Sequence, residues 1–388
     1  MTEPRGSWFA LNVVNGFAGG SIVGVIAKRT YRVAGGACWV ADAQLALTEA
    51  PSATDDNVVL LQDMDTSLQR RQVDVIVHGK ARVATPRTAF DVRLRVGTLD
   101  RVLRVFGERA CSLSTWGKPL FSYAARVESV DLSWHNAYGG VDRVALAKHG
   151  DPLEQHYREL QEPYQAEFGA YAYPRNRAGK GYLIEATAEA LAACHLPNLE
   201  EPADLLTPER LIVGHPQRWP LGPAVAAVGF LNYNYFPRSA MLALAPPFDS
   251  KHILPTDFFE VRMKVLRPES IADVMPIQNR LDLGCAQQSA LGMRMAHVAP
   301  GERVEFTHVH PHFERWSFSL PNEYPSLLLK LPDQATTELE PKIRTLLFEP
   351  ELDRLSIVWV GERAEAMPIG PGKREQIRCA VRWNGSAP

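Results

Sequence analysis

Cysteine is scarce: five residues in a chain of 388, Cys38, Cys111, Cys194, Cys285 and Cys379, with no CxxC pair among them. That excludes a disulfide framework and a cysteine-built zinc motif, and reads as reduced thiols in a cytoplasmic protein. Neither sign of charge dominates. Forty-two basic residues face 44 acidic ones, for a formal net charge of −2, which argues against a general nucleic-acid binder. No apolar run reaches 18 residues, so no membrane insertion is expected. The opening MTEPRGSWFALNVVNGFAGG lacks a basic segment followed by an unbroken apolar run, because Asn12, Asn15, Gly16, Gly19 and Gly20 interrupt it. It does not read as a signal peptide, and the chain is expected to stay in the cytoplasm where it is made.

Familiar catalytic signatures are missing as well. There is no GxSxG elbow, and RAGKG lacks the GxxxxGK spacing and the Ser or Thr of a phosphate loop. Lys180, between Gly179 and Gly181, is read as part of a turn in preference to a phosphate contact. The carboxylate pairs Asp55–Asp56 and Glu200–Glu201 sit in loop-like sequence and are expected to be solvated. His195 beside Cys194 and Arg378 beside Cys379 are sequence neighbours, which point different ways on a strand or a helix. No cofactor is implied.

What the chain does have is period-two alternation. With 46% hydrophobic and 22% charged residues it has the balance of a globular protein and enough length for a sizeable core. RQVDVIVHGKARV (71–83), AFDVRLRVG (89–97), DRVLRVFGERAC (100–111) and ARVESVDLSW (125–134) all alternate, separated by Gly, Pro or polar turns. Phe90, Val92, Leu94 and Val96 form an apolar face while Asp91, Arg93 and Arg95 point the other way, the pattern of an antiparallel sheet with one wet face. Strands return at 258–268, 301–321, 326–332, 345–362 and 376–383. In LFEPELDRLSIVWVG a turn at Glu351–Asp353 leads into Leu355, Ile357 and Trp359 on one face, which predicts a hairpin. The middle third differs. A short helix limited by Pro163 is expected in 151–169, a clearer one at YLIEATAEALAAC (182–194), and proline-rich loops after that. The expected fold is mainly β (α+β): two sandwich-like β-rich lobes, 1–135 and 257–388, joined by a loop-rich connector, 136–256, with one or two short helices.

Two clusters stand out. THVHPH places His308, His310 and His312 at alternate positions. On a strand these would share a face and could converge on a metal such as Zn²⁺, with Glu305, Glu314 or His297 as further ligands. The alternative is a polar strand face whose histidines pair with carboxylates. The connector, in turn, is crowded with Trp134, Tyr138, Tyr171, Tyr173, Arg175, Arg177, Tyr182, Trp219, Phe230, Tyr233, Tyr235 and Phe236. Trp, Tyr and Arg anchor protein interfaces. Equally, such aromatics form a core beneath long loops, with Asn136, Asn176 and Asn198 bonding loop backbones and Gly139 and Gly140 at positive φ.

NAYGGVDR (136–143), YPRNRAGKGY (173–182), LPNLEEP (196–202), a Pro-rich tryptophan loop, LPTDFF and the strand LSIVWVGE follow one another in fixed order. Together, over nearly the full length, they resemble the bacterial family called domain of unknown function 2169. This chain departs from the family pattern at Arg177-Ala178 and again after LPTDFF.

That resemblance implies a non-enzymatic cytoplasmic adaptor or chaperone. Its partners would be a type VI secretion effector, held as cargo, and the VgrG or PAAR spike protein onto which the effector is loaded. It carries over no catalytic residues. The partner-binding or structural motif would then comprise Asn136, Tyr138, Gly139, Gly140, Asp142, Arg143, Tyr173, Arg175, Asn176, Gly181 and Trp219, with Arg143 and Arg175 bridging loops. Two alternatives stand beside it: a metal-dependent enzyme using His308, His310 and His312, and a structural component of the secretion apparatus.

Overall fold

The computed structural model describes residues 8–15, 20–55, 59–68, 70–150, 171–232 and 287–384. It is mainly β, as the alternation predicts. The expected strand at 258–268 and the helix expected in 151–169 lie outside the described residues.

The largest sheet runs in the order Phe9–Asn15, Ser21–Ala34, Arg354–Glu365, Lys342–Glu349, Val73–Val77, Arg294–Met295, with Ala37–Val40 added alongside Ser21–Ala34. Its neighbours are antiparallel except Lys342–Glu349 and Val73–Val77, which run parallel. A second sheet is ordered Leu199–Glu200, Leu99–Phe106, Ala89–Val96, Arg303–Thr307, Arg315–Ser319. A third, of three strands, sets Tyr324–Lys330 between Thr337–Leu339 and Arg378–Asn384.

The two large sheets face one another across the main core. Tyr31, Val75, Val77, Phe348, Leu355 and Ile357 from the first meet Phe90, Val92, Leu94, Leu103, Phe306 and Phe318 from the second. The wet face of the second sheet is as expected. Arg93 bonds Asp100 at 2.6 Å, and Arg104 bonds Asp91, across adjacent exposed positions. Ser21–Ala34 serves two cores with a single row of side chains. Val23, Val25 and Ala27 pack on the three-stranded sheet, while Tyr31 and Val33, further along the same face, enter the main core. On its opposite face Ile26 packs with Leu47, Leu68, Val358 and Val360.

Two expectations are corrected, and one element is added. The lobes 1–135 and 257–388 are not separate sheets, because strands from both ends of the chain lie side by side in each large sheet. The helix expected over 182–194 is confined to Ala188–Ala193, starting at the Thr187 cap, whose side chain accepts from Ala190 N. Tyr182, Leu183 and Ile184 are core residues outside the helix, and Leu183 bridges Ile212. Finally, a helix Arg143–His149 that alternation did not reveal follows Asp142.

Candidate functional site

The connector motif folds around one asparagine. Asn176 is fully buried, and its Nδ2 donates to the carbonyls of Trp134 (2.8 Å) and Tyr138 (3.1 Å). Its backbone carbonyl accepts from Gly140 N (2.8 Å), and its own N–H donates to Tyr173 O (3.1 Å). NAYGGVDR and YPRNRAGKGY are therefore stitched together, with Tyr138–Gly139 pairing in parallel with Lys180–Gly181. Gly139 and Gly140 sit at φ +147° and +101°. A Cβ on Gly139 would run into the Asn176 carbonyl, and one on Gly140 would meet Gly179 O at 2.5 Å, so both positions require glycine.

Asp142 extends the knot. It is buried, and while Oδ1 caps the helix Arg143–His149 by accepting from Ala145 N (2.9 Å), Oδ2 accepts from Ile184 N (2.8 Å). Asn136 is half-buried and donates through Nδ2 to Asp131 O (2.9 Å), while its carbonyl accepts from Asn198 N. Tyr138, Tyr173, Tyr182 and Trp219 form a buried aromatic cluster. Tyr173 lies at its centre, 4.9 Å from Tyr138, 5.3 Å from Tyr182 and 6.1 Å from Trp219 between ring centroids. Burial raises the hydroxyls of Tyr138 and Tyr182 well above the ordinary tyrosine range. The Arg175 guanidinium lies 5.3 Å from the Trp219 ring centroid. Gly181 is buried at φ +91° beneath Pro197.

Every motif residue but one is thus internal or packed against the interior. The exception is Arg143, exposed on the first turn of its helix and without an ion pair among the described residues, so it does not bridge loops. Lys180 donates to Asn198 Oδ1 (2.8 Å), which fits the turn reading. The pair Glu200–Glu201, expected in solvent, is drawn inward. Glu200 is buried against Arg109 and accepts from Leu206 N, while Glu201 pairs with Arg101. Trp134, Tyr171 and Phe230 are buried too, so these connector aromatics are core; Tyr233, Tyr235 and Phe236 lie outside the described residues.

The histidines do not share a strand face. The strand ends at Thr307, and His308 is left-handed at φ +61°, turning the chain towards Arg315–Ser319. Period-two alternation stops there. His308 Nδ1 donates to Asp91 O (2.7 Å). His310 is buried, with Nε2 on Asp353 Oδ1 (2.9 Å), which ties the hairpin loop to the turn before Arg354, and Nδ1 accepting from His312 N (3.1 Å) within the loop. Its ring stacks with those of Phe313 and Trp316. His312 is exposed. Among the described residues no three His, Cys, Asp or Glu side chains gather where they would hold a metal ion.

Two polar features were missed at the sequence level. Lys28 and Asp65 form a buried ion pair (2.8 Å) at a cavity of about 90 Å³ also lined by Thr345, Glu349, Arg354 and Ser356. That volume is well under the several hundred Å³ usual for a ligand pocket. Nearby, the fully buried Arg70 donates to Gln288 Oε1 (2.8 Å) and Thr345 Oγ1 (2.7 Å) and lies 3.5 Å from Asp74 Oδ2. The only available signal was a charge inside an apolar strand, Lys28 in VIAKRTY and Asp74 in VDVIV.

The outer surface differs in kind. The hairpin Cys111–Leu113/Pro119–Phe121 belongs to neither large sheet, and its register places Ser112 opposite Leu120. Cys111 and Phe121 pack inward on the aromatic cluster. Trp116 at the turn is 88% exposed, Tyr123 just beyond is fully exposed, and Leu113 and Leu120 are exposed beside them.

Among the described residues no helix is long and apolar enough to cross a membrane. Comparison with curated proteins and with solved structures gives no match. A family model described as "Uncharacterized protein conserved in bacteria (DUF2169)" matches residues 18–360, a span that holds the Asn176 knot and the exposed Trp116 turn, and the chain belongs to that family.

Proposed function

We propose that this protein is a non-enzymatic adaptor or chaperone that binds a type VI secretion effector and helps load it onto the VgrG–PAAR spike. The secretion role rests on the family resemblance of the ordered motifs. The observation that carries a binding role in this chain is the hairpin Cys111–Phe121 with its exposed Trp116 and Tyr123. Large exposed aromatics beside leucines are the usual anchors of a protein interface. The contrast with the connector supports the same reading: there the aromatics and arginines are spent on internal contacts, here they face out. Between Glu108 and Glu128 the chain has no Asp or Glu, whereas Lys118 and Arg126 are exposed. Such a surface suits a partner segment that is apolar and acidic.

The test is co-purification from the native cytoplasm with mass spectrometry, comparing the wild type with the double variant Trp116→Asp, Tyr123→Ser. The expected result is a toxin-like effector with a spike component on the wild type, lost in the variant at unchanged melting temperature. A partnerless wild type would overturn the adaptor reading. Undiminished capture by the variant would remove the hairpin from it.

A further inference from the structure

Four of the five cysteines lie among the described residues, and two of these are brought together by the fold although 82 residues separate them in the chain. An antiparallel bridge joins Ala110 to His195. In antiparallel pairing the residue after the first comes opposite the residue before the second, so carrying this isolated bridge one step further brings Cys111 beside Cys194, and both lie in the same buried cluster. Opposed residues in such a pair have Cα atoms about 4.5–5.5 Å apart, inside the span of about 4.4–6.8 Å that a disulfide bridges. Both side chains are buried in the same apolar cluster, and each is a free thiol. Cys38 belongs to the main core and Cys379 to the edge of the core on the three-stranded sheet, so neither competes for either partner.

We infer that Cys111 and Cys194 are a redox-closable pair, forming a disulfide that pins the hairpin Cys111–Phe121 to the end of the helix Ala188–Ala193. The oxidant is a small-molecule disulfide such as oxidised glutathione. One cysteine thiolate attacks a glutathione sulfur, forming a mixed disulfide and releasing one glutathione thiolate. The second cysteine attacks the protein sulfur of that intermediate and expels the other glutathione. Two protein thiols are oxidised, one glutathione disulfide is reduced to two thiols, and the two protons pass to the departing glutathiones. Burial holds both thiols protonated in the closed structure, Cys194 up to about 12 with Cys111 adding to the rise. Reaction therefore waits on opening of the hairpin, and its rate levels off as glutathione disulfide is increased. Once formed, the bond locks in place the root of the element that carries Trp116.

The experiment uses the full chain, reduced, desalted and incubated with oxidised glutathione. Samples are quenched in acid, alkylated in denaturant and mapped by peptide mass spectrometry. The expected result is the loss of two thiols with no glutathione retained, and a linked pair of peptides carrying Cys111 and Cys194 that dithiothreitol separates. Cys111→Ser or Cys194→Ser should abolish the linked species and leave the remaining cysteine as a thiol or a single glutathione adduct. The wild-type map is decisive even if a variant folds poorly. Five thiols retained, adducts without a linked pair, or linkage through Cys38, Cys285 or Cys379 would each overturn the inference.

Discussion

Replacing Asn176 with alanine tests whether the connector motif is held by one side chain. The substitution removes two hydrogen bonds from a fully buried amide, to Trp134 O and Tyr138 O. The two acceptors are left in different positions. Trp134 O still accepts from Ala137 N at 3.2 Å, whereas no other donor among the described residues reaches Tyr138 O. A typical hydrogen bond contributes about 1 kcal/mol net, and an orphaned buried carbonyl costs about 1–3 kcal/mol. The asparagine Oδ1 is itself buried with no hydrogen-bond partner among the described residues, so its removal returns part of that loss. The expected destabilisation is about 2–4 kcal/mol. Urea unfolding followed by tryptophan fluorescence and circular dichroism measures it, with the slope checked for constancy. Asn136→Ala is the internal control: its bond to Asp131 O is near the surface and should cost under about 1 kcal/mol. If both variants lose the same amount, or Asn176→Ala loses less than about 1 kcal/mol, burial of the amide is not what holds the motif.

Other expectations follow from single contacts. Gly139→Ala forces a Cβ onto the Asn176 carbonyl at a backbone angle alanine avoids, and should cost about 2 kcal/mol or more by thermal or urea unfolding. Arg70→Met leaves Asp74 buried without its counter-charge, with a loss of about 3–5 kcal/mol, while the double variant Arg70→Met, Asp74→Leu should recover much of it in a double-mutant cycle. Hydrogen bonds from Arg93 and Arg95 hold the Asp100 carboxyl down to about 2. A depressed folded value means that this pairing stabilises the fold above the ordinary carboxylate range and is lost as pH falls towards 2; NMR titration of the Arg93→Gln, Arg95→Gln variant should show the carboxyl returning towards 4.

How much was legible depended on how local the determinant was. Phe90, Val92, Leu94 and Val96 declared their face because the other side of that strand is in water and carries Asp91, Arg93 and Arg95. The hairpin over 342–365 was legible because its turn and its alternation sit within a few residues of one another. The central strand Ser21–Ala34 was not, since it is covered on both faces and includes Lys28, whose charge makes sense only once Asp65 is folded over it. The helix at 182–194 was overread because Tyr182, Leu183 and Ile184 are claimed by tertiary packing, and the Thr187 cap that starts the helix was not used as a boundary. His308, His310 and His312 kept strand spacing in letters but not in space, because one left-handed residue resets the alternation. At the connector, sequence left open whether the motif residues faced a partner or the interior, and the structure turns all but Arg143 inward. The Asn176 bonds place them inside.

The order of strands in the largest sheet has a consequence for synthesis. Ser21–Ala34 leaves the ribosome more than 300 residues before its central neighbour, Arg354–Glu365. Until that segment emerges, one edge of an apolar fourteen-residue strand has only its local partners Phe9–Asn15 and Ala37–Val40 on the other side. Such long-range pairing makes folding slow and leaves an open edge to other chains in the meantime. Production of this protein should therefore depend on temperature and on general chaperones more than its native stability suggests, and a truncation before residue 354 should collect in the insoluble fraction.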